Sequence, residues 1–239
     1  MFKSILKLVR SDCRIIAHDP VILSLLSGPL LIIIILKLFF PVFSDIVYSK
    51  SGFHIKEYYP VIAITLVCLV PYLIGILYIN ILKDFQSSDL STATSLQFNF
   101  LIIRMFCISF ICFVFVLLTI IASRPVPTEG WLRNIFAACL LSIQAPFVCM
   151  LIGALMKKNV MRISVFMLCS IFLITVPFGL LVHHPWNYFA FFSPLYWLAW
   201  AWIIRSPVES LEYGIITLIL TLVILIILTR NFLRKNTGK

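Results

Sequence analysis

Six stretches of the chain, at 21–43, 59–82, 104–122, 131–156, 160–182 and 212–229, are each long and apolar enough for a helix that crosses a bilayer. That repetition leaves little choice of fold. Backbone in hydrocarbon must satisfy its own hydrogen bonds, which restricts spanning structures to helices and closed barrels. A spanning helix needs about 20 apolar residues, whereas a barrel strand needs only about 10 with alternating polarity. The runs here have the helical length and no alternation. The expectation is an all-α membrane protein with six transmembrane helices in a single domain over 1–239. Composition agrees: the chain is 62% hydrophobic and 12% charged, against about 25% charged in an average soluble domain.

The segments between the runs carry the individuality. Residues 1–18 are amphipathic. Lys3, Lys7, Arg10 and Arg14 recur at helical spacing on one side, with Phe2, Ile5, Leu6, Val9, Cys13 and Ile16 on another. Such a helix lies in the interface with its cations at the lipid phosphates. Asp19 and Pro20 then suit the cap and first turn of the next helix. A polar loop at 44–58 joins the first two runs. The longest polar stretch between spanning runs is 83–99, rich in Ser, Thr and Asp and free of Pro and Gly. It predicts a short surface helix, N-capped at Ser87 or Ser88, with Asp89 in its positive first turn. Alone, it would read as an ordinary loop. Residues 183–207 hold Trp186, Pro194 and three further tryptophans. Trp and Tyr favour the headgroup level, so this segment is expected as one or two short re-entrant or interfacial helices.

Charge placement sets the orientation. With six spans and a cytoplasmic N-terminus, thirteen basic residues fall on the cytoplasmic side: Lys3, Lys7, Arg10, Arg14, Lys83, Arg104, Lys157, Lys158, Arg162, Arg230, Arg234, Lys235 and Lys239. Six fall opposite: Lys37, Lys50, Lys56, Arg124, Arg133 and Arg205. The positive-inside rule therefore puts both termini in the cytoplasm. A seventh span through 188–204 would move the basic tail outside. The net charge of +10 thus reads as topology, not as nucleic-acid binding.

Several chemistries find no footing. No Asp or Glu lies in the middle of a run, whereas proton- and sodium-coupled carriers use buried ionisable groups. No phosphate-binding G-x-x-x-x-G-K-[ST] loop and no zinc-protease H-E-x-x-H occurs, so neither catalytic residues nor metal ligands are assigned. His18 and the pair His183–His184 read as loop residues. Cys68, Cys107, Cys112, Cys139, Cys149 and Cys169 lie in apolar runs without C-x-x-C spacing and read as small packed hydrophobes. Polar groups inside the runs are mild: Thr65, Asn80, Thr119, Ser142, Gln144 and Thr175. Their ordinary role is hydrogen bonding between helices. Pro71, Pro146 and Pro177 are candidate kinks, and Gln144 with Pro146 interrupts the fourth run.

With these features in place the chain resembles the ABC-2 type permeases of ATP-binding-cassette transporters. The opening from Leu8 to Pro20 is similar to that family's connecting helix, with His18 where Arg is usual. The stretch Lys83 to Arg104 is similar to its coupling helix, although it lacks the family's Gly and has Ser95 where Pro is expected. Phe192-Ser193-Pro194-Leu195-Tyr196-Trp197 resembles its outer re-entrant segment. The spacing is also similar to that of small bacterial fluoroquinolone-export permeases.

The resemblance implies a permease subunit in a bacterial plasma membrane. A second permease copy or paralogue and cytoplasmic ATPase subunits would be its partners, with ATP and Mg²⁺ bound by the ATPase and no cofactor in this chain. Asp84, Phe85, Gln86, Ser88, Asp89, Ser91 and Thr94 would meet the ATPase. The family's pathway runs along the dimer interface beside spans two and five, which makes Thr65, Pro71, Tyr72, Thr175 and Phe178 candidate lining. Two other readings stand beside it. One is a channel or scaffold without an ATPase; the other is a metal- or haem-handling protein using His183 or His184.

Overall fold

The computed structural model describes residues 27–87, 94–125, 131–155, 161–182, 186–204 and 206–236, and every regular element among them is helical. The amphipathic segment with Lys3, Lys7, Arg10 and Arg14 lies outside these residues, as do Ser88, Asp89, Ser91 and the pair His183–His184. In chain order the helices are α1 (Gly28–Ser51), α2 (Tyr59–Ser87), α3 (Thr94–Ser123), α4 (Trp131–Ser142), α5 (Gln144–Leu155), α6 (Met161–Leu181), α7 (Pro194–Ile203) and α8 (Pro207–Asn236). Short 3₁₀ turns precede α2 at Ile55–Tyr58 and α7 at Trp186–Ala190.

Five stretches are long and apolar enough to cross a membrane: Gly28–Ser51, Ile55–Ile76, Ile102–Ser123, Trp131–Ile152 and Pro207–Arg230. The expected fifth run falls on α6, where Ser170–Leu181 forms a shorter apolar stretch. Several helices overrun the expected bounds. The first run continues to Ser51, where Gly52 takes the left-handed conformation (φ 68°) that ends it. The second run continues through Lys83 to Ser87, because no Pro or Gly stops it. Ser87 is therefore the last residue of α2, not the cap of a separate helix, and α3 begins at Thr94. The last helix starts at Pro207, with Glu209 in its first turn, since Pro suits N1 and an acid suits the positive helix end.

Two helices depart from regular winding, each beside a proline. In α1 a π turn spans Ile35–Phe39, and the Phe40 N–H reaches back five residues to the Ile35 carbonyl. Pro41 follows and has no N–H for the Lys37 carbonyl. The fourth run breaks at Ile143, so α4 and α5 are separate helices. Pro146 explains the break: its ring opposes the Ser142 carbonyl in a continuous helix, yet it is tolerated in the first turn of a new one. Pro71 and Pro177, in contrast, sit inside unbroken helices.

Helix α5 is the centre of the bundle. Every residue from Gln144 to Ile152 is buried, and α2, α3, α6 and α8 pack around it. The α2–α5 approach is closest at Gly75. A methyl group there would lie 2.7 Å from the Ala145 carbonyl oxygen and 2.9 Å from the Val148 Cβ. Small residues at such contacts are expected in lipid, where packing and hydrogen bonds drive helix association. Helix α3 shows why hydropathy alone cannot find its inward side. Ile108, Cys112, Val116 and Ile120 are buried, while Phe106, Phe110 and Leu118 are exposed. Cys68, Cys112 and Cys149 are packed as expected, but Cys139 lies on the exposed side of α4.

Candidate functional site

The five candidate lining residues sit on two helices that pack together, α2 and α6, but they do not share one surface. Pro71 and Tyr72 are buried, Tyr72 at 1% exposure. Thr175 is buried as well and turns toward the segment ahead of α7, where its hydroxyl and that of Ser193 are hydrogen-bonded at 2.8 Å. Thr65 and Phe178 keep partial exposure. The Thr65 hydroxyl donates to its own helix, to the Val61 carbonyl at 2.7 Å. Of the five, Thr65 and Phe178 are therefore the ones with surface to offer a partner or a passing molecule.

The segment at 186–203 is built into the bundle. Helix α7 has ten residues, or about 15 Å at 1.5 Å per residue, half of the roughly 30 Å hydrocarbon core. Its residues Pro194, Leu195, Tyr196, Leu198, Ala199, Ala201 and Trp202 are buried, and it packs against α4, α6 and α8. Gly179 of α6 permits this seating: a methyl group there would meet Tyr196 Cδ2 at 2.2 Å. Aromatic contacts complete it. The Tyr196 and Phe191 rings lie 5.0 Å apart, and Trp197 faces Tyr213 of α8 at 5.6 Å. The indole N–H groups are used too. Trp197 donates to the Phe191 carbonyl at 2.9 Å and Trp202 to the Asn134 Oδ1 at 3.3 Å. The Ser210 hydroxyl of α8 donates to the Ala201 carbonyl at 2.6 Å.

Sequence reasoning passed over the partner of Gln144. Gln144 is fully buried at the break between α4 and α5. Its Nε2 donates to Thr221 Oγ1 of α8 at 2.8 Å, and the Thr221 hydroxyl donates to the Thr217 carbonyl. The Gln144 Oε1 finds no donor among the described residues. The signal lay in α8: Ser210, Gly214, Thr217 and Thr221 recur at helical spacing, and all four are buried. Arg104, expected to open the third run on the cytoplasmic side, lies inside α3, which begins at Thr94, and is 7% exposed.

The polar stretch at 83–99 divides into three parts. Asp84, Phe85 and Gln86 belong to the last turns of α2, Thr94 opens α3, and residues 88–93 between them lie outside the described residues. Helices α2 and α3 pack against each other, and α2 also packs along α5. Ser87 and Thr94 thus stand at the ends of two long helices that both pack on α5. Among the described residues no group of three or more His, Cys, Asp or Glu could hold a metal ion.

The profile of the family described as "Fluoroquinolones export permease protein Rv2686c-like" matches residues 12–229. No curated protein and no solved structure matches the chain.

Proposed function

The chain belongs to the Rv2686c-like family of ABC-2 type permeases, and on that premise we propose that it is the permease subunit of an ATP-binding-cassette exporter. Two permease chains form the pathway, and two cytoplasmic ATPase subunits, which bind ATP and Mg²⁺, drive it. The family description makes fluoroquinolones the substrate class to try first. In this reading the chain crosses a bacterial plasma membrane six times with both termini inside, and α7 re-enters from the outer side. Lys3, Lys7, Arg10 and Arg14 hold the amphipathic N-terminal segment at the inner phosphates. Thr65 and Phe178 line the pathway, with Pro71, Tyr72 and Thr175 behind them.

The observation that supports this reading best is the pair of helices around 88–93. Helix α2 carries its winding past the apolar run to Ser87, and α3 is already wound at Thr94, ahead of its own apolar run. A coupling element must do this. It must hand motion to two spans without bending, and unbroken helices are stiffer than loops. Asp84, Phe85, Gln86, Ser88, Asp89, Ser91 and Thr94 are the proposed ATPase contacts.

The test is Asp89→Lys in the permease co-expressed with its proposed ATPase partner. Most surface substitutions change stability by within about 0.5 kcal/mol, so the variant should insert at the normal level. It should either fail to co-purify with the ATPase or hydrolyse ATP without moving drug. Normal co-purification and normal export in a variant that also carries Asp84→Lys and Ser91→Lys would sink the coupling assignment.

A further inference from the structure

Beyond the proposed α2–α3 coupling end and pathway, α1 and the residues leading into α2 line an open cleft of about 380 Å³. Its wall is mostly apolar: Leu36, Phe40, Pro41 and the ring of Tyr59. Two lysines, Lys37 and Lys56, complete the lining. The Lys56 Nζ lies 2.8 Å from Asp45 Oδ1, so its charge is already answered. Lys37 has no carboxylate partner among the described residues. The Tyr59 hydroxyl donates to the Ser123 carbonyl, which ties this wall to the end of α3. Glu57 is the other acid on this hairpin, and it is exposed. On this hairpin Lys37, Lys50 and Lys56 outnumber Asp45 and Glu57.

The surroundings decide what this cleft can hold. Lys37 sits in the π turn of α1, and its neighbours Leu38, Phe39, Val42 and Phe43 are exposed at 65%, 65%, 59% and 56%. An apolar surface of that extent belongs against hydrocarbon. A lysine among such residues extends its stem along the apolar surface and brings its charge to the headgroups. The cleft thus offers an apolar wall continuous with exposed apolar surface and a lysine without a carboxylate partner among the described residues, whose stem can carry its charge toward the headgroups. An ammonium beside an apolar wall suits an anionic headgroup by charge and its acyl chain by burial.

We propose that the cleft between α1 and α2 is a binding site for an anionic phospholipid. Lys37 meets the phosphate, and the wall of Leu36, Phe40, Pro41 and Tyr59 takes the start of an acyl chain. Net negative headgroup charge is what the site selects, so a zwitterionic lipid with the same chains binds more weakly.

The experiment uses the full-length protein in bilayers containing spin-labelled phosphatidylglycerol or spin-labelled phosphatidylcholine. The motionally restricted fraction at the protein is read by electron spin resonance. Wild type should prefer phosphatidylglycerol severalfold, and the preference should fall as salt is raised. Lys37→Gln should bring it down toward the phosphatidylcholine level, and Lys37→Arg should keep it. Equal restriction of the two lipids by wild type, or an unchanged preference in Lys37→Gln, overturns the proposal. The wild-type comparison with rising salt needs no variant, and a preference indifferent to salt overturns it as well. Inorganic phosphate is added in a separate arm. Full displacement by millimolar phosphate would show a free-anion site instead of a lipid site, and persistence of the restricted lipid supports the proposal.

Discussion

The hydrogen bond between Gln144 and Thr221 makes a prediction whose sign depends on which partner is removed. Thr221→Val deletes the acceptor of the Gln144 Nε2–H and leaves the whole carboxamide unpartnered among the described residues. Hydrogen bonds between membrane helices average about 0.6 kcal/mol, with a maximum near 1.7, and an orphaned buried polar group costs about 1–3 kcal/mol. Thr221→Val should therefore destabilise by roughly 1–2 kcal/mol, or about 2–8 °C in Tm for a chain of this size. Gln144→Leu loses the same bond, but it also removes the Oε1 that has no donor. The Thr221 hydroxyl keeps its bond to the Thr217 carbonyl. The net change should lie between zero and a gain of about 2 kcal/mol. In the double variant two apolar side chains face each other across α5 and α8, and stability should follow Gln144→Leu. Thermal unfolding of the four proteins in one detergent, followed by tryptophan fluorescence, closes the cycle. A Gln144→Leu protein less stable than Thr221→Val would refute the reasoning, because it would mean that the carboxamide is fully satisfied.

Gly179→Ala should lower stability by about 1–3 kcal/mol, since the new methyl would have to displace the Tyr196 ring against which α7 is seated; an unchanged Tm in the same unfolding assay would show that the two helices are not in close contact. A reporter active only outside the cytoplasm, fused after Lys239, should be silent. Activity there would refute a cytoplasmic C-terminus and, with the N-terminus inside, would make 186–203 the first place to look for an extra crossing.

The spans were legible because a long apolar run states its own length. Their ends were not, because nothing in Lys83–Ser87 or Thr94–Asn99 opposes helix and the chain simply goes on winding. Prolines were legible as places of interest but not as outcomes. Pro146 accompanies a break, while Pro71 and Pro177 do not. The difference is whether neighbouring helices re-satisfy the freed carbonyl, and that is tertiary information. The shortness of the segment at 194–203 was legible from its Pro and Trp. Its burial was not, since tryptophans that favour a membrane interface serve equally as packing against α6 and α8.

The candidate pathway was the least legible, for a reason particular to lipid. In water an amphipathic helix points its apolar stripe inward and its polar stripe outward, so residue type alone separates core from surface. In α8 the relation is reversed. Leu211, Ile215, Leu218, Ile219, Leu222, Val223, Ile226 and Ile227 are exposed, while Ser210, Gly214, Thr217 and Thr221 are buried. The apolar residues here need no partner in the protein, because hydrocarbon satisfies them. The hydroxyls do need one, because nothing else at that depth can. The same reasoning accounts for Thr175 and Gln144, which a reading in search of substrate contacts would point into an open pathway. Their hydrogen bonds are to Ser193 and Thr221, so they hold α6 to the segment before α7, and α5 to α8. A polar side chain in a spanning run is then evidence first of the inward direction. Only where burial is incomplete, as at Thr65, does such a side chain keep surface that the proposed pathway could use.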